Sequence, residues 1–275
     1  MVRCSILIGF WFALVVSSAL LAEAFAQSPI KIAVIIDDLG YQKKMGEKAL
    51  DLPGSVTYAF LPQTPFSWYL ASIANERNKE VMLHLPMESD LGNRLGKGAL
   101  TLNMPKSNFL ETLKRDIASV PYLAGVNNHM GSLLTRDPTA MRWLMGELRR
   151  QGLFFIDSRT TEATVAEQVA CSSSIANGRR DVFLDNVADE ILIRKQLQKL
   201  VAIARERGYG IGIGHPYPAT LSVLRKVLPE LKQQGIELVR VSEILNDRRP
   251  LLQQAGFDGV SEASSEQLLS VRPLH

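Results

Sequence analysis

The sequence predicts an α/β protein whose parallel strands curl into a closed or nearly closed, distorted (β/α) barrel of seven to eight strands. Two observations lead to this fold class. Short apolar runs of strand length recur along the chain, and amphipathic helical patterns separate them. Most of the runs are apolar throughout, which is typical of a sheet covered on both faces. An open, doubly wound sheet is the alternative that the same alternation allows.

Eight runs are predicted as strands, because each has strand length and is bounded by Gly, Pro, Asn or Asp. They are Lys31–Asp37, Ser55–Phe60, Glu80–His84, Leu123–Asn127, Leu153–Asp157, Asp181–Asp185, Gly210–Gly214 and Ile236–Val241. Their alternation with helices implies parallel connections, which place all the carboxyl ends of the strands at one rim.

Helices are predicted where apolar residues recur at positions i, i+3, i+4 and i+7. The clearest begins after Asp137, which can cap it, has Pro138 in its first turn and ends at Gly152. The other predicted helices cover Phe66–Ile73, Asp189–Arg207, Leu221–Leu231 and, as a short segment that Asp38 could cap, Tyr41–Leu50.

The first 26 residues fit a secretory signal peptide rather than part of the fold. Arg3 precedes an uncharged stretch that ends at Ala22, and Ala24-Phe25-Ala26 fits a small-x-small cleavage site. We therefore expect Gln27 to be the first mature residue and the protein to be exported, either periplasmic or secreted. The apolar stretch is long enough that an uncleaved anchor, with membrane association, is the alternative.

The composition is that of an ordinary folded domain. Of the 275 residues, 46% are hydrophobic and 21% charged, and the formal net charge is +3. This balance excludes long disorder and a protein with many membrane spans, and so small a charge predicts no nucleic-acid partner. We expect one domain over residues 27–245 and a flexible C-terminal extension over residues 246–275, where the helical periodicity fails.

Six titratable side chains lie at or just beyond the carboxyl ends of the predicted strands. They are Asp37, Asp38, His84, His129, Asp157 and His215. Each alone also fits a simpler structural role, since such a His often makes an ordinary hydrogen bond and such an Asp often caps a helix. Because parallel strands direct their carboxyl ends to one rim, the six are predicted to converge there.

The adjacent carboxylates of Asp37 and Asp38 indicate a cation. Two negative charges side by side at low dielectric repel each other unless a positive charge lies beside them. A divalent metal ion would supply that charge, and a His/His/carboxylate set leaves a coordination position open to water, as in catalytic sites. Such an ion lowers the pKa of its water toward ~7. No Walker loop, G-x-S-x-G elbow or H-E-x-x-H motif competes with this interpretation.

Five segments, in order along the chain, resemble the motifs of the divergent polysaccharide deacetylase family, a branch of the carbohydrate esterases with the NodB-like fold. They are Ile35–Gly40 (IIDDLG), Glu80–Glu88 (EVMLHLPME), Gly125–Ser132 (GVNNHMGS), Phe155–Thr160 (FIDSRT) and Gly212–Pro216 (GIGHP). The resemblance spans about Ile32 to Leu245. It implies a distorted (β/α) barrel, in agreement with the periodicity.

The resemblance also implies roles for individual residues. Asp37 matches the general base of the family, and Asp38 and His84 match two metal ligands. The mainstream deacetylases have a second His four residues after the first, where this chain has Glu88. His129 is therefore our first choice for the third ligand, and Glu88 is the alternative. Zinc is the expected metal for such mixed ligands, with manganese, iron or cobalt as alternatives.

The remaining roles concern the general acid. His215 resembles the late general acid of the family, and Asp157 and Arg159 resemble its orienting pair. We expect Asp157 to orient His215, and Arg159 to pair with Asp37 or to bind substrate. Together these roles imply metal-dependent removal of an N- or O-acetyl group from a cell-envelope polysaccharide.

Two departures from the mainstream motifs leave other functions open. Glu88 replaces a His, and Asn127-Asn128-His129 stands where an Arg-x-Pro-Tyr segment is expected. A catalytically inactive envelope protein of the same fold, which binds a glycan or a protein partner, is therefore the alternative. A third candidate is a metal hydrolase acting on a phosphoester or an amide.

Overall fold

The computed structural model describes residues 29–254 except residues 91 and 93, so the predicted signal peptide and residues 255–275 lie outside the described part. Its strands, in chain order, are β1 Ile30–Leu39, β2 Thr57–Phe60, β3 Glu80–Met87, β4 Leu123–Met130, β5 Phe154–Asp157, β6 Asn177–Arg179, β7 Val182–Phe183, β8 Tyr209–Gly214 and β9 Ile236–Leu238. Its helices are α1 Lys43–Leu50, α2 Ser67–Glu76, α3 Lys106–Ser119, α4 Pro138–Gln151, α5 Ala166–Ser172, α6 Glu190–Arg207, α7 Pro218–Val227 and α8 Val241–Gln254, with 3-10 turns at Leu134–Arg136 and Leu228–Gln234.

The strands form one parallel sheet in the order β6-β5-β4-β3-β2-β1-β8-β7, and β9 pairs with the start of β1. Only Arg180 and Asp181 separate the two edge strands in the chain, and two residues reach about 7 Å at most. The backbone N–H of Arg180 bonds to β5 and that of Asp181 to β8. The sheet therefore curls until its edges meet, which confirms the distorted barrel. The single strand predicted at Asp181–Asp185 is replaced by β6 and β7.

Alternate side chains of the strands face the inside of the barrel. On β1, Ala33 and Ile35 point into the barrel and pack with Met82 and Ile213 of other strands. Val34 points outward and packs with the helices that surround the barrel. Each fully buried aliphatic side chain contributes about 1.5–3 kcal/mol. Helix α8 adds three further apolar side chains to the inner cluster, namely Val241, Ile244 and Leu245. The interior is thus a packed core, and chemistry is confined to the rim.

The helix caps and helix ends predicted from the sequence are present in the structure. Asp137 caps α4 by accepting from the N–H of Ala140 at 2.6 Å, and α4 ends at Gly152 with a left-handed φ of 70°. Asp189 caps α6 in the same way. The periodicity indicated neither α3 nor α5. None of the helices in the described part of the chain is long and apolar enough to cross a membrane.

The last helix differs from the expectation. The predicted strand ends early at Leu238, because α8 begins at Val241. Helix α8 then continues to Gln254, into the segment from Asn246 where the helical periodicity of the sequence fails. Asn246 and Asp247 are exposed, so this part of the helix shows little of the apolar periodicity by which helices are predicted.

Candidate active site

Three ligand-type atoms meet at the rim of the barrel. Asp38 Oδ1 lies 3.2 Å from His84 Nε2 and 3.0 Å from His129 Nδ1, and the two nitrogens lie 3.1 Å apart. The three side chains come from the carboxyl-terminal parts of β1, β3 and β4. His84 pairs in register with Asn127, so His129, two residues later, returns to the same face of the sheet. One carboxylate and two imidazoles form a donor set suited to a divalent transition metal.

A bulge in β1 turns Asp38 toward this cluster. Adjacent strand residues normally point to opposite faces, so Asp37 and Asp38 could not both face the site in a regular strand. The pairing of β1 with β2 shifts register between Ile36 and Leu39, and Asp38 has a φ of 59°. Asp tolerates this left-handed conformation better than most residues. Helix α1 begins later, after Gln42, so Asp38 is not its cap.

The surroundings of Asp38 fit a bound cation. Its Oδ1 atom is buried, and its nearest polar neighbours are the imidazole nitrogens of His84 and His129. Burial opposes ionisation, but the interactions with His129 and His84 outweigh it and hold the pKa of Asp38 below its ordinary value. A buried, ionised oxygen is costly unless a positive charge satisfies it. A metal ion between the three donors would do so.

Asn127 connects the cluster to Asp37. Its Nδ2 donates to both carboxylate oxygens of Asp37, at 2.9 and 3.1 Å. Its Oδ1 therefore faces Nδ1 of His84, 2.8 Å away, and accepts the hydrogen of that nitrogen. In the neutral imidazole this contact holds the hydrogen on Nδ1 and directs the lone pair of His84 Nε2 at the cluster.

Asp37 is the buried acid beside the metal-type cluster, with only 2% of its surface exposed. Burial raises the pKa of its carboxyl, and the charges of His84 and His215 and the bond from Asn127 oppose this only in part. A carboxylate with a raised pKa accepts a proton more readily than an ordinary Asp.

His215 lies next to Asp38 at the edge of the cluster. Its Nε2 lies 3.7 Å from Asp38 Oδ2, and its Nδ1 lies 3.0 Å from Asp185 Oδ1. The other oxygen of Asp185 accepts from the backbone N–H of His215 and from Thr220 Oγ1. Burial lowers the pKa of His215, but the bond with Asp185 and the charges of Asp37 and Asp38 raise it overall. The imidazolium form is therefore favoured.

The predicted pairing of Asp157 with His215 is wrong, because Asp185 makes that contact. Both carboxylate oxygens of Asp157 serve its own loop: one accepts from the N–H of Arg159 at 2.8 Å, the other from Thr164 Oγ1 at 2.9 Å. Asp157 lies two residues after Phe155 on β5, so both side chains point to the same face of the strand, and Phe155 packs outside the barrel. It therefore points away from the cluster.

Arg159 also lies differently from the expectation. Its guanidinium forms no ion pair with Asp37 in the described part of the chain, and its backbone has a left-handed φ of 51°. Its carbonyl accepts from Arg180 Nη2 at 2.8 Å, and Arg180 Nε donates to the carbonyl of Ser158 at 2.7 Å. Arg180 thus holds the loop after β5 and places a partly buried positive charge near Asp157 and Asp37.

Glu88, the alternative ligand, lies outside the cluster. Its Oε2 accepts from the backbone N–H of Leu102 at 2.7 Å, and its carbonyl accepts from Leu133 and Leu134. Glu88 thus connects three segments at the rim. The structure brings His129, rather than Glu88, next to Asp38 and His84.

A family model described as divergent polysaccharide deacetylase matches residues 34–245, which is most of the chain. The chain belongs to the divergent polysaccharide deacetylase family. The chain is also similar to the Escherichia coli (strain K12) protein YibQ, with 35% identity over 230 residues, or 84% of this chain and 72% of YibQ.

Solved structures share the fold of this deacetylase family member. ATU2773 from Agrobacterium tumefaciens C58 superposes with a TM-score of 0.77 at 26% identity, covering 80% of this chain and 90% of that one. The catalytic domain of a peptidoglycan N-acetylglucosamine deacetylase from Eubacterium rectale gives a TM-score of 0.50 at 9% identity, covering 78% and 90%. A mutant of BA3943, described as a CE4 family pseudoenzyme, gives 0.51 at 11% identity, covering 79% and 67%. The deacetylase fold thus occurs with and without activity.

Three residues of the candidate site were not singled out from the sequence: Asn127, Arg180 and Asp185. Asp185 ends a predicted strand, so the signal that selected the other acids applied to it as well. Asn127 stands at the end of another predicted strand, but a neutral amide carries no titration signal. Arg180 lies before the predicted strand, and no sequence pattern indicated it.

Proposed function

We propose that this chain is an exported, metal-dependent hydrolase that removes acetyl groups from a cell-envelope polysaccharide. The observation that carries the proposal is the cluster of Asp38, His84 and His129, with Asp37 3.6 Å from His84 Nδ1 and His215 3.7 Å from Asp38 Oδ2. A cation site flanked by a buried carboxylate and by an imidazole with a raised pKa is the arrangement that acyl hydrolysis needs.

The three donors of the cluster would hold the ion. When bound, a divalent ion supplies Lewis-acid activation of water and of the acetyl carbonyl. Zinc suits two imidazoles and one carboxylate, and we propose it as the resident metal. Asn127 keeps the donor atom of His84 directed at the ion.

Two other side chains move protons. Asp37 takes a proton from the attacking water, because burial raises the pKa of its carboxyl and makes it the stronger base. The contact of Nδ1 with Asp185 and the charges of Asp37 and Asp38 raise the pKa of His215, and Nε2 delivers a proton to the leaving amine or alcohol. Asp37 lies beside His84 and His215 lies beside Asp38, so both groups border the cluster over which the scissile bond would be placed.

The export part of the proposal rests on the sequence. The stretch after Arg3 and the cleavage pattern at Ala24-Phe25-Ala26 would deliver a mature chain outside the cytoplasm, where an envelope polysaccharide is accessible. Family membership supports an acetylated glycan as substrate, because the matching family is one of polysaccharide deacetylases.

The test combines metal content with acetate release. Purified mature protein should hold about one divalent ion per chain and release acetate from an acetylated glycan. His84→Ala should lose both, whereas Asp37→Asn should keep the ion and lose about 10²-fold or more in turnover. Glu88→Gln is the matched control and should keep the ion, because its carboxylate lies outside the cluster.

Two results would contradict the proposal. Full metal content in His84→Ala would show that the ion binds elsewhere. Glycan binding without acetate release by the metal-loaded protein would select the alternative, an inactive envelope protein that binds glycan through the same cleft.

A further inference from the structure

Two cavities meet at the candidate active site. The first, of about 420 Å³, has Met45, Pro216 and Tyr217 in its walls and is called here the aromatic cavity. The second, of about 670 Å³, has Arg94 and Lys97 in its walls and is called here the basic cavity. Both volumes lie in the range of ligand sites. Tyr41, Leu61 and His129 line both cavities, so they are continuous across the cluster.

The basic cavity carries positive charge that nearby acids do not neutralise. Among the described residues, neither Arg94 nor Lys97 forms an ion pair. The two acids that precede this loop are engaged elsewhere. Glu88 accepts from the N–H of Leu102, and Asp90 accepts from Ser132 and lies 3.8 Å from Arg136. An anion entering the cavity would therefore meet two available cations.

The loop that carries these cations is held against the body of the protein. Gly98 has a φ of 74° and packs directly on Asp116, so even a methyl group there would overlap the carboxylate. Gly96, with a φ of 85°, approaches the hydroxyl of Tyr41. The loop is anchored at one point and touches the shared wall of both cavities at another. The backbone that carries Arg94 and Lys97 is therefore held at the wall, while both side chains stay exposed to an entering ligand.

The aromatic cavity suits the other part of a glycan chain. Tyr41 and Tyr217 line this cavity and are 51% and 42% exposed, and the ring of Tyr217 lies 5.4 Å from the imidazole of His215. Beyond the cluster residues that also line this cavity, its flat aromatic faces favour the apolar face of a sugar ring over a charged group. The two cavities thus differ in the chemistry that they recognise.

Building on the proposed hydrolase function, we propose that the substrate is an anionic acetylated glycan. The acetylated sugar lies over the cluster, the neutral part of the chain lies in the aromatic cavity, and a carboxylate or phosphate on a neighbouring sugar binds Arg94 and Lys97 in the basic cavity. Both anions are bound well by a guanidinium and an ammonium group.

The test measures binding separately from catalysis. Calorimetry of mature protein at low salt would compare a neutral N-acetylglucosamine oligomer with oligomers of equal length carrying either a carboxylate or a phosphate on alternate sugars. We expect about 10-fold tighter binding of an anionic oligomer, as two partly exposed ion pairs give, and loss of this preference at high salt. The oligomer that binds more tightly shows whether the anionic group of the substrate is a carboxylate or a phosphate.

The paired variants decide the location. Arg94→Ala with Lys97→Ala should remove the preference, whereas Lys199→Ala with Arg205→Ala, exposed on α6 and equal in charge, should keep it. Equal binding of neutral and anionic oligomers, or a preference that survives the first pair, would overturn the proposal. Acetate release is measured in parallel. A preference without acetate release would refute only the hydrolase function, and acetate release without a preference would refute only the anionic substrate.

Discussion

Replacing Asn127 by Ala should lower both the stability of the protein and its affinity for metal, although Asn127 is not one of the proposed metal ligands. The amide is fully buried and connects Asp37 to His84, so its loss leaves a buried carboxylate and the Nδ1 hydrogen of His84 without their partner. Hydrogen bonds to charged groups contribute about 1.5–3 kcal/mol each. The two contacts together predict a loss of roughly 3–6 kcal/mol in the free energy of unfolding of the metal-free protein.

The same change should weaken metal binding. Asn127 sets the tautomer and ring orientation of His84, and loss of such a partner typically costs about 10- to 100-fold in metal affinity. The assay is a pair of measurements on each variant: urea unfolding of the metal-free protein, and titration with zinc against a competing chelator. Stability and affinity should both fall in Asn127→Ala.

Asn128 provides the matched control on the same strand. It is 1% exposed, its Oδ1 accepts from the N–H of Ser158, and its Nδ2 donates to the carbonyl of Met130. Asn128→Ala should therefore lose stability and keep its zinc affinity. Equal zinc affinities in the two variants would refute the reasoning, because the loss in Asn127→Ala would then be a general effect of strand destabilisation.

Three further predictions test other parts of the molecule. Burial raises the pKa of Asp116 from 3.8 to about 7, so the folded state keeps a proton that the unfolded chain releases. Stability should then fall as the pH rises from about 4 to about 7, by up to about 4 kcal/mol, and Asp116→Asn should flatten this dependence in urea unfolding. Asp185→Asn should lower the pKa of His215 and move the loss of kcat/KM at high pH toward lower pH. Sequencing of exported protein should give Gln27 as the N-terminus, whereas Met1 in the membrane fraction would indicate an anchor.

Local patterns predicted most of the barrel because strand and helix signals alternate with little ambiguity. The strands near Ile35, Met82 and Ile213 are continuous apolar runs, and short apolar runs between turn residues are typical of buried strands. The segment from Asn177 to Phe183 was harder to predict. It pairs first with β5 and then with β8, and this exchange of partners depends on where the two sheet edges meet, which no local pattern encodes.

The candidate site was likewise predictable only in part. Strand ends predicted which residues reach the rim, and Asp38, His84, His129 and His215 do meet there. Which way a rim residue points was not predictable, because both faces of a barrel strand are apolar and the alternation that would distinguish inside from outside is absent.

Asp157 and Asp185 show the consequence. Both end predicted strands, and the residues before Asp157, Phe154-Phe155-Ile156, are apolar on both faces, so the sequence contained no sign that Asp157 faces outward. Asp38 is the opposite case, since only a bulge, invisible in a run of apolar residues, turns it toward the site. In this fold, the carboxyl ends of the strands predict which residues are catalytic candidates. Which of these residues contact one another depends on whether each side chain points into or out of the barrel, and tertiary packing determines that orientation.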